Sequence, residues 1–530
     1  MARRVFAFGL ALALGCLGSG CGSSSSAPST PTGVAGTGTL FVVVSDAPIC
    51  DVLTAGLNVT QVVLGVANSG NTVTLLSSLT TVIGLDLASL LGFSTVLTLQ
   101  TTNAGTYDRV SVGLETQTMA VYDPSQNPPF STVSENLTTK STPPLYNINP
   151  PLNLGSSGAG VILIDYDLQQ DLQVDSEGNV TGFINPLAQV SAPTASPITG
   201  FGEIDGIEGF ISSVNTVSFT SGSTVFTGFL GMQLLASASG AGGTPGVNAS
   251  LTKDSALCAQ PVPPAVPESN RPCTSAPLNT ILTNSYALVD GFIDINGNLH
   301  AASVSIAPQS SPTVNNQTSF IGPVLSVTKD SNGNVIGFML FVSSEQPPAS
   351  PVSLDTAVEV SLSATTLYNT FPPAPPAGSV SPPANFAALP FGSSEIAVGE
   401  DVAVNGVFTV PPSPLPAVVA AGEVDLKLQT HVGSFTSLLA VQPDDHTGAF
   451  TLAPCATMLQ QTPSALPIYV FTTSSTTFVN TSGLTGLRAS PMTLVKGLLF
   501  FEPQSITLNG VTVPAGKLVM LAKQVALTSS

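Results

Sequence analysis

Three groups of side chains in this chain have the types and spacing to do chemistry. Asp165 and Asp167 flank Tyr166 on an alternating stretch, so both carboxylates should face one side of a strand. Such a pair suits acid–base work or a cation. Asp444-Asp445-His446 is the densest polar cluster. A metal site or a catalytic triad there needs partners from elsewhere in the chain. Segments 175–179, 294–298 and 330–334 share the pattern Asp-x-x-Gly-Asn, each between apolar runs. Their oxygens are of the kind that ligates calcium, but a calcium loop has Gly at its sixth position and a distal Glu. Gly and Asn at left-handed positions are what tight hairpins require, so hairpin turns are the expectation here. The plainer readings also carry more weight elsewhere: a solvated strand face for Asp165 and Asp167, a loop tip for 444–446. His300 falls in an expected strand and His431 near a unit boundary, and neither has a partner in the sequence. No G-x-S-x-G elbow, H-E-x-x-H helix or phosphate-cradling loop is present. No catalytic residue is therefore assigned and no cofactor is expected. No metal site is assigned either, with Asp165, Asp167, Asp444, Asp445 and His446 as the weak candidates.

The cysteines say more about compartment than about catalysis. Cys16 and Cys21 lie in a segment that begins Arg3-Arg4, continues with the apolar run 5–14, and ends in Gly22 and four serines. A positive start, a short apolar core and small residues mark an export signal. The run is about 10 residues, short of the roughly 20 that span a bilayer. Ala13-Leu14-Gly15-Cys16 fits a lipobox in part. Gly18-Ser19-Gly20-Cys21 fits its small positions, and the Gly/Ser tether starts directly after it. Cys21 is thus the favoured lipidation site, Cys16 the alternative, and plain secretion the other outcome. Four cysteines remain, Cys50, Cys258, Cys273 and Cys455, and an even number in an exported chain suggests disulfides. Cys258 and Cys273 bracket a Pro-rich loop and are expected to pair. Cys50 and Cys455 either bridge distant domains or stay as buried thiols. C-x-x-C spacing is absent.

The 530 residues exceed what one core organises, and two to four domains are expected. The chain is 43% hydrophobic but only 8% charged, with 48 Gly and 44 Pro. That is the makeup of short strands joined by turns. A formal charge of −19 argues against nucleic acid as a partner, because phosphate binding needs clustered Lys and Arg. It also disfavours docking on anionic lipid through protein charge. Exposed aromatic platforms for sugar are not indicated: Trp is absent, there are seven Tyr, and most of the 25 Phe fall at strand positions expected to be core.

Strands are expected at 39–44, 57–64, 72–76, 107–112, 160–168 and 180–190, with one helical turn at 85–91. The series Gly38-Thr39-Leu40, Ser45-Asp46-Ala47-Pro48, Asn58-Val59-Thr60, Leu85-Asp86-Leu87, Ala104-Gly105-Thr106-Tyr107 and 161–167 runs in the order seen in domain of unknown function 4382, and Ile184-Asn185-Pro186 is similar to its closing strand. Residues 38–192 thus resemble that family. The resemblance implies a β-sandwich on envelope proteins and no activity.

Beyond it the chain repeats. Glu208-Gly209-Phe210-Ile211-Ser212-Ser213-Val214 recurs at 321–327 and, more weakly, at 432–438. Segments 363–368 and 474–479 correspond, as do 290–293, 405–408 and 496–499. Ordered markers at a pitch of about 110 residues describe tandem units. Val398-Gly399-Glu400-Asp401-Val402-Ala403-Val404-Asn405-Gly406 resembles the signature of domain of unknown function 5666, which implies a small β-barrel-like module.

The expected organisation is a lipoprotein signal at 1–21, a disordered tether at 22–38, a β-sandwich at 39–192, and β modules at 200–308, 318–429 and 430–530. The fold class is all-β, an N-terminal β-sandwich followed by three tandem small β-barrel or sandwich modules. The expected role is non-enzymatic: a bacterial envelope lipoprotein that is structural, adhesive or ligand-presenting. It would be held to the membrane by its N-terminal lipid, with a protein or glycan partner unidentified. A carboxylate-based hydrolase and a calcium-stabilised adhesin are the alternatives.

Overall fold

The computed structural model describes residues 36–528 apart from 47–49, 78–82, 89–94, 137–144, 167–171, 175–179, 184–187, 196–199, 202, 222–223, 235–245, 260–273, 276–277, 279–280, 282, 284, 307–316, 347–351, 353, 372–388 and 413–414. The signal and the tether up to residue 35, with Cys16 and Cys21, lie outside them, as do Asp167, Cys273 and 175–179; Thr37 and Gly38, read from sequence as the end of a disordered tether, instead open the first strand. The Cys258–Cys273 pairing therefore falls outside the described residues as well.

The described chain is strand almost throughout. The first unit holds β1 (Thr37–Asp46), β2 (Val52–Val66), β3 (Thr72–Ser77), β4 (Ile83–Asp86), β5 (Thr95–Asn103), β6 (Gly105–Tyr122), β7 (Phe130–Asn136), β8 (Leu145–Leu154), β9 (Ala159–Tyr166), β10 (Leu172–Val174), β11 (Val180–Phe183) and β12 (Ala188–Ser191). Leu85 and Asp86, read from sequence as the start of a helical turn, instead close β4 against β2. The main path runs β3-β2-β6-β8-β12-β9-β1-β5 and wraps round one core. Leu40, Val42 and Val44 of β1 meet Leu57, Val59 and Val62 of β2 and Ile162 and Ile164 of β9 there. The apolar run 40–44 does not alternate with polar residues, and the reason is that both faces of β1 are covered. Phe41 and Val43 point the other way, with Val96 and Val161, into the next unit's core. Each such side chain contributes roughly 1.5–3 kcal/mol when fully buried.

That unit holds β13 (Glu203–Asn215), β14 (Phe219–Ser221), β15 (Thr224–Leu234), β16 (Gly246–Ala259), β17 (Thr274–Ser275), β18 (Tyr286–Ile293) and β19 (Leu299–Ile306). β13 pairs β15, β15 pairs β16, β16 runs parallel to β19, β19 pairs β18, and β18 returns to β13. Counting the five long strands in chain order, the ring closes as 1-2-3-5-4-1, the order of the five-stranded Greek-key barrel known as the OB-fold.

The next ring has the same order. Its strands are β20 (Gln317–Lys329), β21 (Val335–Val342), β22 (Ser344–Gln346), β23 (Thr356–Ser361), β24 (Leu367–Phe371), β25 (Asp401–Thr409) and β26 (Ala417–Val441). β20-β21-β23-β26-β25-β20 closes the barrel, with β23 parallel to β26. The last ring adds β27 (Gly448–Pro454), β28 (Ile468–Thr472), β29 (Thr477–Val479), β30 (Thr493–Glu502), β31 (Ile506–Leu508), β32 (Val511–Val513) and β33 (Lys517–Leu527). It closes as β26-β27-β28-β33-β30-β26, with β28 parallel to β33. β26, 25 residues long, serves both. Up to Leu426 it pairs β25, and from Leu428 it pairs β30. The second and third barrels are thus joined in mid-strand.

The β31–β32 hairpin tightens that joint. Asn509 and Gly510 both have positive φ, 47° and 78°, as a two-residue hairpin turn requires. Leu508 and Val513 of this hairpin pack into the second barrel's core.

Candidate functional site

The Asp444-Asp445-His446 cluster is the tip of the β26–β27 hairpin, and its oxygens are already engaged. Asp444 Oδ1 accepts the backbone N–H of His446 and of Thr447 at 3.1 and 2.9 Å, and Oδ2 accepts the Thr447 hydroxyl at 2.7 Å. The Thr447 N–H and hydroxyl hold this carboxyl below the usual range. Asp445, at φ 58°, reaches across to another turn. Its carboxylate takes the Thr485 N–H at 3.0 Å and hydroxyl at 2.7 Å. His446 donates from Nδ1 to the Asp444 carbonyl at 2.8 Å and sets its ring edge-on to Phe478. These bonds fix a turn.

The two described Asp-x-x-Gly-Asn segments are hairpins of one design. Asp330 Oδ1 accepts the N–H of Asn332 and Asn334 at 2.8 and 2.9 Å, and Gly333 takes φ 86°. Asp294 does the same for Asn296 and Asn298 at 2.9 and 2.8 Å, with Gly297 at φ 81°. Asp165 stands half-buried on β9, between Ser45 of β1 and Gln189 of β12. Among the described residues no three His, Cys, Asp or Glu side chains form a group able to hold a metal ion.

Three constellations appear that sequence reasoning missed. The first joins His300 to Asp294 across the β18–β19 hairpin, Nε2 to Oδ2 at 2.8 Å, with Ser250 Oγ 3.5 Å from Nδ1. Ser, His and Asp thus stand in a row, but Ser250 is buried and its hydroxyl donates to the Leu299 carbonyl at 2.8 Å. A nucleophile needs an accessible oxygen whose proton the imidazole can take, so this trio reads as a positioned imidazole and not as a triad.

The second is a polar stripe on β26. Glu423, Asp425, Lys427, Gln429 and His431 alternate with Val424, Leu426 and Leu428. Period two places them on one face, and Val424 and Leu426 face the barrel core. Asn369 donates to Asp425 Oδ1 at 3.0 Å. Gln429 Nε2 donates to the Gly399 carbonyl at 3.0 Å and also to His431 Nε2. Burial first, then the Glu423 charge, pushes the Asp425 carboxyl well up. Burial lowers His431 to about 4, so its ring is neutral at neutral pH. The third is a set of buried acids at the same joint. Glu395 and Glu400 come from the β24–β25 connection and Glu502 from β30; all three are buried. Burial raises Glu400 far above its ordinary value, and burial with the nearby Glu395 charge raises Glu502 to about 7.

The first unit is fastened to the last by a disulfide between Cys50 and Cys455, 405 residues apart, with Cα atoms 5.6 Å from each other. Of the two outcomes open for these cysteines, the bridge is the one formed. Asp51 Oδ1 accepts the Thr457 hydroxyl at 2.9 Å and its N–H at the start of a short helix. The Thr54 hydroxyl donates to Asp355 Oδ1 at 2.7 Å. Leu53, Ala120 and Tyr122 pack with Leu325, Phe341 and Met458 beside these bonds. Lys523 of the third barrel also meets Asp290 of the first at 2.8 Å.

This is an all-β, multi-unit protein whose units are clasped at several joints. Its first unit, residues 37–184, matches the family described as Domain of unknown function (DUF4382), in agreement with the resemblance carried by its short sequence motifs. No curated protein and no solved structure matches the chain.

Proposed function

We propose that this chain is a non-enzymatic lipoprotein of a bacterial envelope, tethered through Cys21, that holds a rigid array of β units away from the membrane. The observation that carries this reading is the Cys50–Cys455 disulfide. Such bonds persist in oxidising compartments, and this one lies downstream of a segment with the layout of an export signal. The three barrels are read as copies of one module similar to domain of unknown function 5666. Their common strand order and the sequence markers at a pitch of about 110 residues support that. A hydrolase is less well supported, because the carboxylates of Asp444 and Asp445 serve as turn acceptors.

Metabolic labelling with a palmitate analogue tests the anchor. Wild type and Cys16→Ser should take up label, and Cys21→Ser should lose it and appear in the soluble fraction. Label retained by Cys21→Ser removes the proposed attachment point.

A further inference from the structure

The first barrel carries an aromatic row on its outer surface. Leu230, Ala249, Leu251, Ala301 and Ile293 fill its core, so the residues next to them along each strand face outward. In lateral register these are Phe229 of β15, Ser250 of β16, His300 of β19 and Phe292 of β18. Phe226 lies beside Thr252 and opposite Phe219 of β14. Phe219, Phe226 and Phe229 have nearly parallel rings, with centroids 4.7, 5.7 and 6.5 Å apart. These separations fit Phe226 and Phe229 side by side with Phe219 laid over both. Phe219 is 40% exposed, so a flat apolar ring face meets solvent. His300 stacks on Phe292 at 5.0 Å and tilts against Phe226 at 5.6 Å, while Asp294 fixes its orientation.

We propose that this face binds a neutral oligosaccharide, one sugar ring stacking on the exposed Phe219 ring and the partly exposed Phe229 beneath it, and its hydroxyls meeting the His300–Asp294 pair. Four observations select that chemistry. Flat aromatic faces complement the C–H face of a pyranose, as they do other flat apolar surfaces. The polar pair at the end of the row supplies the oriented hydrogen-bonding group that a binding site places among apolar contacts. Residues 200–308 hold seven Asp or Glu against two Lys or Arg, so a phosphate chain is repelled. Strand two of the barrel carries both Phe226 and Phe229, with Ser250 of strand three beside Phe229; Phe219 comes from the connection between strands one and two, and Asp294 from that between strands four and five. On this barrel topology, that face and those two loops are where oligosaccharides and oligonucleotides dock, and the charge decides between them. The inference stands whether or not the chain bears a lipid.

Titration calorimetry of the full exported chain with cello-, malto-, laminari- and chitohexaose, and with a single-stranded oligothymidylate, tests it. At least one hexaose should bind in the sub-millimolar range. Phe219→Ala should weaken that binding about tenfold, a change of the size one lost ring stack produces, without moving the melting temperature. Phe229→Ala should do the same. The proposal is overturned if no hexaose binds at millimolar concentration, if Phe219→Ala binds as wild type does, or if only the oligothymidylate binds.

Discussion

Cys455→Ala should lower the urea midpoint of the oxidised protein, and Cys50→Ala should lower it by the same amount, because either substitution removes the same bond. The bond closes a loop of about 405 residues between the first unit and the third barrel. In the chain-entropy account a loop of that length is worth about 6 kcal/mol, above the roughly 0–5 kcal/mol that disulfides contribute in practice. The joint has other supports, namely the Asp51–Thr457 and Thr54–Asp355 hydrogen bonds and the apolar contact of Leu53 and Tyr122 with Phe341 and Met458. Either variant should therefore keep its far-ultraviolet circular dichroism and its assembled form at low denaturant. What changes is how readily the first unit separates on the way to unfolding. Equal midpoints for oxidised wild type, Cys50→Ala and Cys455→Ala would mean that the noncovalent contacts alone hold the joint.

The strands were legible because Gly and Pro mark the turns and because Ala55 to Thr60 in the middle of β2, and β25 along its whole length, alternate between buried and less buried positions. The polar stripe of β26 was equally available: Glu423, Asp425, Lys427, Gln429 and His431 sit at period two in the sequence. Closure of the rings was not. The parallel pairing of strands three and five joins segments tens of residues apart, and nothing local encodes it. Disulfide connectivity is likewise undetermined by spacing. The aromatic row hid for a different reason. Phe226 and Phe229 differ by an odd number of positions and belong to opposite faces of a regular strand. A register shift between Phe226 and Gly228 brings them to the same side. Glycine is needed there, since a Cβ on residue 228 would lie 2.4 Å from the Asn215 carbonyl oxygen. The expectation that Phe residues on strands are core held for Phe320 and Phe338, and it failed for Phe219, which lies exposed on the barrel's outer face.

The second and third barrels should become markedly more resistant to urea at pH 8 when Glu502 is replaced by Gln, and the gain should vanish near pH 4.5. Glu502 is buried at their shared joint, and its Oε1 has no hydrogen bond among the described residues. Lost hydration, with the nearby Glu395 charge, raises it to about 7 from an ordinary 4.5. Between those values the folded chain holds a proton that the unfolded chain has released. Folding is therefore unpenalised by this group at pH 4.5, and the penalty grows with pH until it is complete above 7. A shift of that size corresponds to about 3 kcal/mol, which Glu502→Gln should recover at pH 8. Glu400 has its carboxyl raised in the same direction and accepts the Ala397 N–H at 3.0 Å, so Glu502→Gln should retain part of the alkaline sensitivity of wild type. His431, lowered to about 4 from 6.5, acts oppositely: the unfolded chain binds its proton first, and stability falls as pH drops below 6.5. Urea midpoints of wild type and Glu502→Gln measured from pH 4.5 to 8.5 should diverge steadily upward through pH 7. Parallel curves across that range would show that Glu502 ionises at its ordinary value, and that water reaches the joint.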